Sequence, residues 1–251
     1  MENKKIIYYK QIDSTNTELA RLATKGAEHG TVVVAELQTA GKGRRGRQWE
    51  SPAGENIYMS ILLRPNCVPD KAPMLTLVMA YSVGEALKAL GFSEVQIKWP
   101  NDLVLSGKKI CGILTEMQLK DSEMDYVVVG VGINVNTSSF PKELQDTATS
   151  LYLESGIIFD RERLIESVAK YFDQSYRQFL EAQDLSFLKE AYNDMLVNVG
   201  KEVRVLEPGN EYIAYAQGIN SEGELLVHTK EGEERRIYAG EVSVRGVYGY
   251  V

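Results

Sequence analysis

Apolar residues occur along the first half of the chain in short runs that are separated by polar or glycine-containing stretches. Runs such as residues 6–9, "TVVVAEL" and "NIYMSILLR" have the length and the β-branched content of strands. "EVQIKW", "DLVLSGKKICGILTEM" and "DYVVVGVGINVN" predict further strands, with a turn at "SGKK". Glycine inside the last of these runs indicates a bulge or a close backbone approach.

Four segments have the pattern of helices. "STNTELARLATKG" begins with residues that cap helices and ends at Gly26. Residues 71–90 are apolar on most sides, so we expect a buried helix there. Residues 160–180 carry one apolar stripe at helical spacing, and residues 185–196 predict a shorter helix. Residues 137–150 have no clear period and predict a mobile loop that ends in a short helix.

The pattern changes after Gly200, where five short strand-like runs alternate with glycine-bearing turns. This spacing is typical of a small β-barrel. We therefore expect a mixed α/β domain over residues 1–198, in which helices flank the sheet, and a small all-β domain over residues 199–251.

Composition narrows the range of functions. Lys and Arg number 28 and Asp and Glu 35, so the net charge is −7, which argues against a general binder of DNA, RNA or anionic membranes. Two cysteines and two separated histidines predict neither a disulfide framework nor a His/Cys metal site. The polar N-terminus is unlike a signal peptide, and no apolar run approaches the ~20 residues of a membrane span. We expect a soluble, cytoplasmic protein.

The segment "QTAGKGRRGRQW", residues 38–49, contains three glycines and four cations. Glycines allow close approach of a ligand, and cations beside free amides suit a phosphate. The segment lacks the "GK[ST]" ending of a Walker loop. A solvated basic loop and a nucleic-acid contact are the alternatives. The preceding strand and the following Trp49 favour a ligand loop.

Two further segments carry candidate chemistry. "KWPNDL" places Asn101 and Asp102 at a strand end, although "PND" is also an ordinary turn. "GKKICGIL" places Lys109 at the start of an apolar strand, either as a solvated charge or as an ammonium that holds phosphate or carboxylate oxygens. Cys111 is expected to be a small buried side chain rather than a nucleophile.

Together, "DSTN", "QTAGKGRRGRQW", "KWPNDL", "GKKICGIL", "GVGINVN" and the C-terminal "GEVSVR" resemble the biotin–protein ligases in order and spacing. The resemblance covers essentially the whole chain. It implies a mixed β-sheet flanked by helices, related to class II aminoacyl-tRNA synthetases, and a C-terminal SH3-like barrel. It also implies a two-step reaction, in which biotin and MgATP give biotinyl-5′-AMP and a lysine of a biotin carboxyl carrier domain then takes the biotinyl group.

The same resemblance implies roles for individual residues. Lys109 and Arg44 are the expected catalytic cations, which offset the repulsion between the biotin carboxylate and the α-phosphate. The residues expected at biotin are Ser14, Thr15, Asn16, Gln38, Lys42, Gly43, Arg44 and Lys109. Those expected at ATP or the adenylate are Arg44, Arg47, Trp49, Asn101, Lys109 and Asn134. Mg²⁺ is expected to bind through the ATP phosphates, with no certain protein ligands.

The chain departs from the family pattern in two ways. Lys42 stands where arginine is common, which keeps the charge but loses the planar guanidinium. The first strand begins near Ile6, which leaves no room before it for the winged helix of the bifunctional repressors, so we expect a ligase without DNA binding.

Three other functions compete with this interpretation: a lipoate or octanoate ligase or transferase of the same superfamily, a non-enzymatic nucleic-acid-binding regulator, and a degenerate ligase that binds biotin without turnover. The sequence leaves open whether the protein is a monomer or a homodimer.

Overall fold

The computed structural model describes residues 5–207, 210–239, 243–246 and 250. The first part forms a seven-stranded mixed sheet in the order β1-β2-β3-β7-β6-β5-β4. Its strands are β1 (Ile6–Tyr9), β2 (Val32–Ala35), β3 (Ile57–Leu63), β4 (Gln96–Lys98), β5 (Asp102–Leu105), β6 (Lys108–Lys120) and β7 (Glu123–Ile133). β1 and β2 are parallel, and every other neighbouring pair is antiparallel.

Five helices accompany this sheet. They are α1 (Thr15–Thr24), α2 (Met74–Ala89), α3 (Leu151–Ser155), α4 (Arg161–Ala182) and α5 (Lys189–Met195). The Asp160 carboxylate caps α4 by accepting from the amides of Glu162 and Arg163. The Ser150 hydroxyl caps α3 in the same way. Within the described residues, no helix is both long and apolar enough to cross a bilayer.

The two faces of the sheet have different environments because side chains alternate along each strand. Val32 and Val34 belong to the large core under α2 and α4, whereas Val33 packs with α1 on the opposite face. β7 shows the same alternation. Val127 and Val129 face the large core, and Val128 faces the α1 side.

The C-terminal part forms a five-stranded antiparallel sheet in the order β11-β10-β9-β8-β12. Its strands are β8 (Glu202–Glu207), β9 (Asn210–Ile219), β10 (Leu225–Thr229), β11 (Glu234–Ile237) and β12 (Ser243–Gly246). Its inward residues, including Val203 and Leu225, join the large core. The indole of Trp99 also donates a 3.1 Å hydrogen bond to the carbonyl of Gly223, which fixes this sheet against the strand end that carries "WPND".

The sequence predicted the fold class and the main elements. The predicted turn at "SGKK" is a tight hairpin in which Ser106 and Gly107 both have positive φ, as a two-residue turn requires. The short helix expected within residues 137–150 begins only at Leu151, after its cap. Residues 240–242 of the C-terminal "GEVSVR" lie outside the described residues.

Candidate active site

A cleft of about 1000 Å³ opens on the α1 face of the large sheet. All twelve residues that the sequence singled out line it. They are Ser14, Thr15, Asn16, Gln38, Lys42, Gly43, Arg44, Arg47, Trp49, Asn101, Lys109 and Asn134. They come from the N-terminus of α1, the glycine-rich loop and the ends of β4, β6 and β7. The fold therefore gathers residues up to 120 positions apart, since 134 − 14 = 120.

Three glycines on neighbouring strands form the floor of the cleft. Gly112 of β6 is paired with Gly132 of β7, and Gly130 lies two residues earlier on the same face. A Cβ atom on Gly130 would lie 2.0 Å from Asn16 Oδ1, and one on Gly132 would lie 2.5 Å from Trp49 Cε2. These positions require glycine because other side chains occupy the space above the sheet.

The opposite face of β6 belongs to the core. Cys111 is fully buried there beside Ile110, and burial raises the pKa of its thiol far above the ordinary value. A buried protonated thiol is a poor nucleophile. The prediction that Cys111 is a packing residue is confirmed.

A buried polar network lies at the N-terminus of α1. Gln38 Oε1 accepts from the Thr15 amide at 2.8 Å and from the Thr15 hydroxyl at 3.1 Å, while Gln38 Nε2 donates to Ser51 at 2.9 Å. Ser60 Oγ lies 2.7 Å from the Thr15 hydroxyl. Ser14 stands at the N-cap position of α1, yet its hydroxyl makes no capping bond to that helix, all of whose residues are described. Thr15 and Gln38 are held rigidly, and the Ser14 hydroxyl remains for the cleft.

Asn16 connects this network to the glycine-rich loop. Its Oδ1 lies 2.6 Å from Ser60 Oγ, and its Nδ2 donates to Glu116 at 2.8 Å. The second Glu116 oxygen accepts from Lys42 Nζ at 3.1 Å. Lys42 therefore makes a single-point ion pair, which an ammonium satisfies without the planar fork of arginine.

The glycine-rich loop is a small hairpin. The Gly43 amide donates to the Arg47 carbonyl at 2.7 Å, and the Trp49 amide donates to the Gly41 carbonyl at 2.9 Å. Arg45 has φ of 58°, in the left-handed region. A Cβ atom on Gly41 would lie 2.4 Å from the Trp49 carbonyl oxygen, so the hairpin closes only with glycine there.

Trp49 returns from this hairpin onto the floor of the cleft. Its ring lies over Gly112 and Gly132, and its centroid is 5.2 Å from Lys109 Nζ. Trp49 Nε1 is buried and finds no acceptor among the described residues. A buried indole N–H without a partner is costly and is an available donor for a ligand.

Lys109 and Asp102 form a partly buried ion pair at the start of β5 and the start of β6. Lys109 Nζ lies 2.6 Å from Asp102 Oδ1, and the side-chain Nδ2 of Asn101 donates to the same oxygen at 3.0 Å. Burial raises the pKa of the Asp102 carboxyl, but the charge and hydrogen bond of Lys109, with help from Tyr250 and Lys98, outweigh burial and hold that pKa below its ordinary value. The Asp102 carboxyl is therefore ionised at neutral pH.

Arg44 reaches from the loop to both parts of the chain. One guanidinium nitrogen donates to Asn101 Oδ1 at 2.9 Å, and the other donates to the Ala239 carbonyl at 2.5 Å. Burial lowers the pKa of Arg44, and Asp102 opposes that shift. Arginine remains protonated in any case. The cleft thus contains two cations, Arg44 and Lys109, that are connected through the bond between Asn101 and Asp102.

The other predicted residues lie at the edges of this arrangement. Asn134 is buried, and its side-chain Nδ2 donates to the Thr149 carbonyl at 3.0 Å. Arg47 is more exposed and bonds only weakly to the Arg44 carbonyl, at 3.3 Å.

The predicted site set did not include several residues that the structure places in or beside the cleft. Asp102 and Glu116 are the carboxylate partners of Lys109 and Lys42. Tyr250 lines the cleft from the C-terminal end, and residues 137–148 contribute one wall. The glycines of the floor had a readable signal, since Gly130 and Gly132 are two apart and must share one face of a strand.

The residues described contain no group of three or more His, Cys, Asp or Glu side chains arranged to hold a metal ion. Asp102 is already engaged by Lys109 and Tyr250, and Glu116 by Lys42 and Asn16.

Comparisons with known proteins agree with this geometry. Residues 8–134 match the Biotin/lipoate A/B protein ligase family, and residues 199–245 match the Biotin protein ligase C terminal domain. The chain is 39% identical over 241 residues to the Bifunctional ligase/repressor BirA of Bacillus spizizenii, which covers 95% of this chain and 74% of that protein.

Two further relatives are similar over more of their own length. The Biotin--[acetyl-CoA-carboxylase] ligase of Mycobacterium tuberculosis is 34% identical, with 92% of this chain and 86% of that protein covered. The solved biotin protein ligase from Aquifex aeolicus in complex with biotin and ATP has a TM-score of 0.84 and 34% identity, with 97% of this chain and 100% of that chain covered. With both family regions matched and the candidate residues gathered in one cleft, the chain belongs to the biotin protein ligase family.

Proposed function

We propose that this protein is an ATP-dependent biotin–protein ligase. It joins biotin to AMP as biotinyl-5′-AMP and then transfers the biotinyl group to one lysine of a biotin carboxyl carrier domain. The observation that carries the proposal is the position of Lys109 and Arg44. The two cations reach one cleft that also has a polar network at one end and an apolar wall at its centre.

The polar network suits the ureido ring of biotin, which offers one carbonyl acceptor and two N–H donors. The Ser14 hydroxyl, the ordered Thr15 and the remaining Gln38 amide hydrogen can complement those groups. Asn16 holds the network against β6. Leu114 and the glycine floor at Gly112 provide an apolar path for the valeryl chain.

The first step brings together two anions, the biotin carboxylate and the α-phosphate of ATP. Lys109 and Arg44 offset their repulsion and stabilise the negative charge that develops at phosphorus. The carboxylate oxygen forms a bond to phosphorus, and pyrophosphate leaves. Arg47, Trp49, Asn101 and Asn134 surround the remaining space, which we assign to the nucleotide. Lys42 and Gly43, both in the glycine-rich loop, form the adjoining wall of the cleft.

The second step transfers the acyl group. The amine of the carrier lysine attacks the mixed anhydride, the new amide bond forms, and AMP leaves with the electron pair. Magnesium enters as part of the MgATP substrate, and we assign it no protein ligand. We place the enzyme in the cytoplasm, as a monomer or a homodimer. The matched regions support a division near residue 199 between a catalytic domain and a small β-barrel.

The decisive experiment is ATP-dependent transfer of labelled biotin to a purified biotin carboxyl carrier domain, with a lipoyl domain as the control acceptor. We expect label on the carrier domain only. Thermal shifts with biotin and with lipoate provide the matched binding test, since only a ligand of the native state raises Tm. Stabilisation by lipoate alone, with label on the lipoyl domain, would replace this proposal with the lipoate alternative.

A further inference from the structure

The last described residue, Tyr250, lies in the cleft beside the ion pair. Its hydroxyl donates a 2.5 Å hydrogen bond to Asp102 Oδ2. Its ring lies over Lys98, with 3.4 Å between Lys98 Nζ and the ring centroid. Lys98 is only 5% exposed and is paired with Asp102 across β4 and β5. Tyr250 therefore contacts both charged residues at this strand end.

The two oxygens of Asp102 have different partners. Oδ1 accepts from Lys109 and from Asn101, whereas Oδ2 accepts from Tyr250. A buried carboxylate needs its lone pairs satisfied, and an oxygen that loses its donor makes the whole group a stronger competitor for a nearby cation. The Tyr250 hydroxyl thus supplies part of the stabilisation that Lys109 would otherwise have to provide.

We propose that Tyr250 is a positioning residue for Lys109 in adenylate formation. This inference rests on the proposed function. When the biotin carboxylate and the α-phosphate enter the cleft, Lys109 must exchange some of its interaction with Asp102 for the substrate oxygens. The Tyr250 hydroxyl keeps Asp102 stabilised during that exchange, so Lys109 turns toward the substrate at a lower cost.

A second contact connects the C-terminal part with the catalytic cations. The Ala239 carbonyl, which follows β11, accepts from Arg44. Both cations are therefore held from the C-terminal side, Arg44 directly and Lys109 through Asp102 and Tyr250. The C-terminal part therefore bonds to the catalytic end of the cleft, in addition to packing on the core.

Two substitutions separate the contributions of the hydroxyl and the ring. Tyr250→Phe removes the bond to Asp102 and keeps a ring over Lys98. Tyr250→Leu removes both. Tyr238→Phe is the matched control, because Tyr238 belongs to the same C-terminal part but is 46% exposed and lies outside the cleft.

The pH profile gives a readout that packing alone would not change. Removal of a hydrogen-bond donor from Asp102 raises the pKa of its carboxyl, so the acid limb of adenylate formation moves to higher pH. The charged and titratable groups that face Asp102 are Lys98, Lys109, Arg44, Tyr250 and Cys111. Lys98, Lys109 and Arg44 also favour the ionised form of Asp102, and all three remain in Tyr250→Phe. A shift of the acid limb in this variant therefore measures the effect of the lost hydroxyl.

The experiment measures biotin-dependent pyrophosphate release against pH and biotin concentration. For Tyr250→Phe we expect kcat to fall about 10-fold, which corresponds to about 1.4 kcal/mol. We expect little change in KM for biotin, a small decrease in Tm and an acid limb at higher pH. We expect the kcat of Tyr250→Leu to fall further than that of Tyr250→Phe. The kcat and pH profile of Tyr238→Phe should match those of the wild type.

Two results would overturn the inference. One is a Tyr250→Phe variant with wild-type kcat and an unshifted acid limb. The other is a loss of activity that follows a loss of Tm without any change in the pH profile. If the wild type itself releases no pyrophosphate with biotin, the proposed function fails first, and biotin-dependent stabilisation shows which of the two has failed.

Discussion

Lys109 Nζ and Asp102 Oδ1 lie 2.6 Å apart because β5 and β6 form one hairpin, whose register shifts between Leu103 and Val104. The shift pairs Val104 with Lys109 while Asp102 pairs with Gly112. The lysine therefore points back along the hairpin to the carboxylate at the cleft. A lysine held this way pays little conformational entropy when a substrate anion arrives.

Replacing Lys109 with alanine should abolish most adenylate formation. The loss of one fixed cation at developing charge commonly costs about 3–4 kcal/mol in the transition state, or roughly 10²–10³ in kcat. Pyrophosphate release measures the effect. Lys108→Ala is the matched control, since the adjacent Lys108 donates to the Gln145 carbonyl in a solvent-exposed hydrogen bond. Equal turnover of Lys109→Ala and the wild type would remove Lys109 from the mechanism.

Asp102 should give the stability of the fold a defined pH dependence. Its pKa is below the ordinary value in the folded protein, so the stabilisation is complete above the unfolded pKa of about 3.9 and is lost as pH falls through the folded pKa. We expect Asp102→Asn to be less stable than the wild type at neutral pH. The difference in urea midpoint should be constant above about pH 5 and shrink below about pH 4. A difference that stays constant down to pH 3 would mean that Asp102 is not the group responsible.

Runs of apolar, β-branched residues predicted the strands well because strands such as β2 and β3 are buried along their whole length, and such runs are a local property. The glycine-rich loop and "GKKICGIL" predicted the cations for a similar reason, since their residues lie close together in sequence. Residues expected in the cleft do line it, although their roles stay predictions.

Other parts of the site depend on contacts between distant residues. Asn16 bonds to Glu116 across 100 positions, and Tyr250 bonds to Asp102 across 148. Such pairs follow from the strand order and from the packing of the C-terminal sheet, which no short motif specifies. The alignment of Gly112 with Gly132 likewise depends on the register between β6 and β7.

A methyl group at Gly130 should disrupt the polar end of the cleft. The new Cβ would lie 2.0 Å from Asn16 Oδ1, so Asn16 must leave Ser60 and Glu116. We expect Gly130→Ala to lose about 1–3 kcal/mol of unfolding free energy and most biotin-dependent stabilisation. Urea titration and thermal shift measure these effects.

A variant with both Asn16→Ala and Gly130→Ala tests whether the clash with Asn16 causes the loss of stability. Asn16→Ala removes the clashing side chain, so adding Gly130→Ala to it should cost much less than Gly130→Ala costs in the wild type. Additive effects of the two substitutions would show that Asn16 is not the side chain that requires glycine at 130.

The glycine-rich loop should become protected when the adenylate forms. Its three arginines repel one another until an anion arrives, and its glycines have many conformations to lose. Trypsin cleavage after Arg44, Arg45 or Arg47 should slow strongly with biotin plus ATP. Cleavage after Lys230, exposed outside the cleft, is the internal control. Equal slowing at Lys230 would indicate general stabilisation instead of loop closure.

Arg44→Gly should separate the two steps of the reaction. The guanidinium bonds to Asn101 and to the Ala239 carbonyl, and it faces the same space as Lys109. Lys109 remains in the variant, so some adenylate should still form. The lost charge-assisted hydrogen bonds are each worth roughly 1.5–3 kcal/mol, which corresponds to about 10- to 100-fold faster escape of the intermediate. Free biotinyl-5′-AMP is a mixed anhydride that acylates any exposed lysine.

A streptavidin blot of a reaction with the carrier domain and an unrelated protein measures this release. We expect the variant to label itself and the unrelated protein, while the wild type labels the carrier alone. Arg45→Gly is the matched control, because Arg45 is the exposed neighbour and its φ of 58° suits glycine. The Arg45→Gly variant should label the carrier domain alone. Carrier-only labelling by Arg44→Gly at the wild-type rate would show that Arg44 does not retain the adenylate, and the absence of all labelling would assign Arg44 to the first step as well.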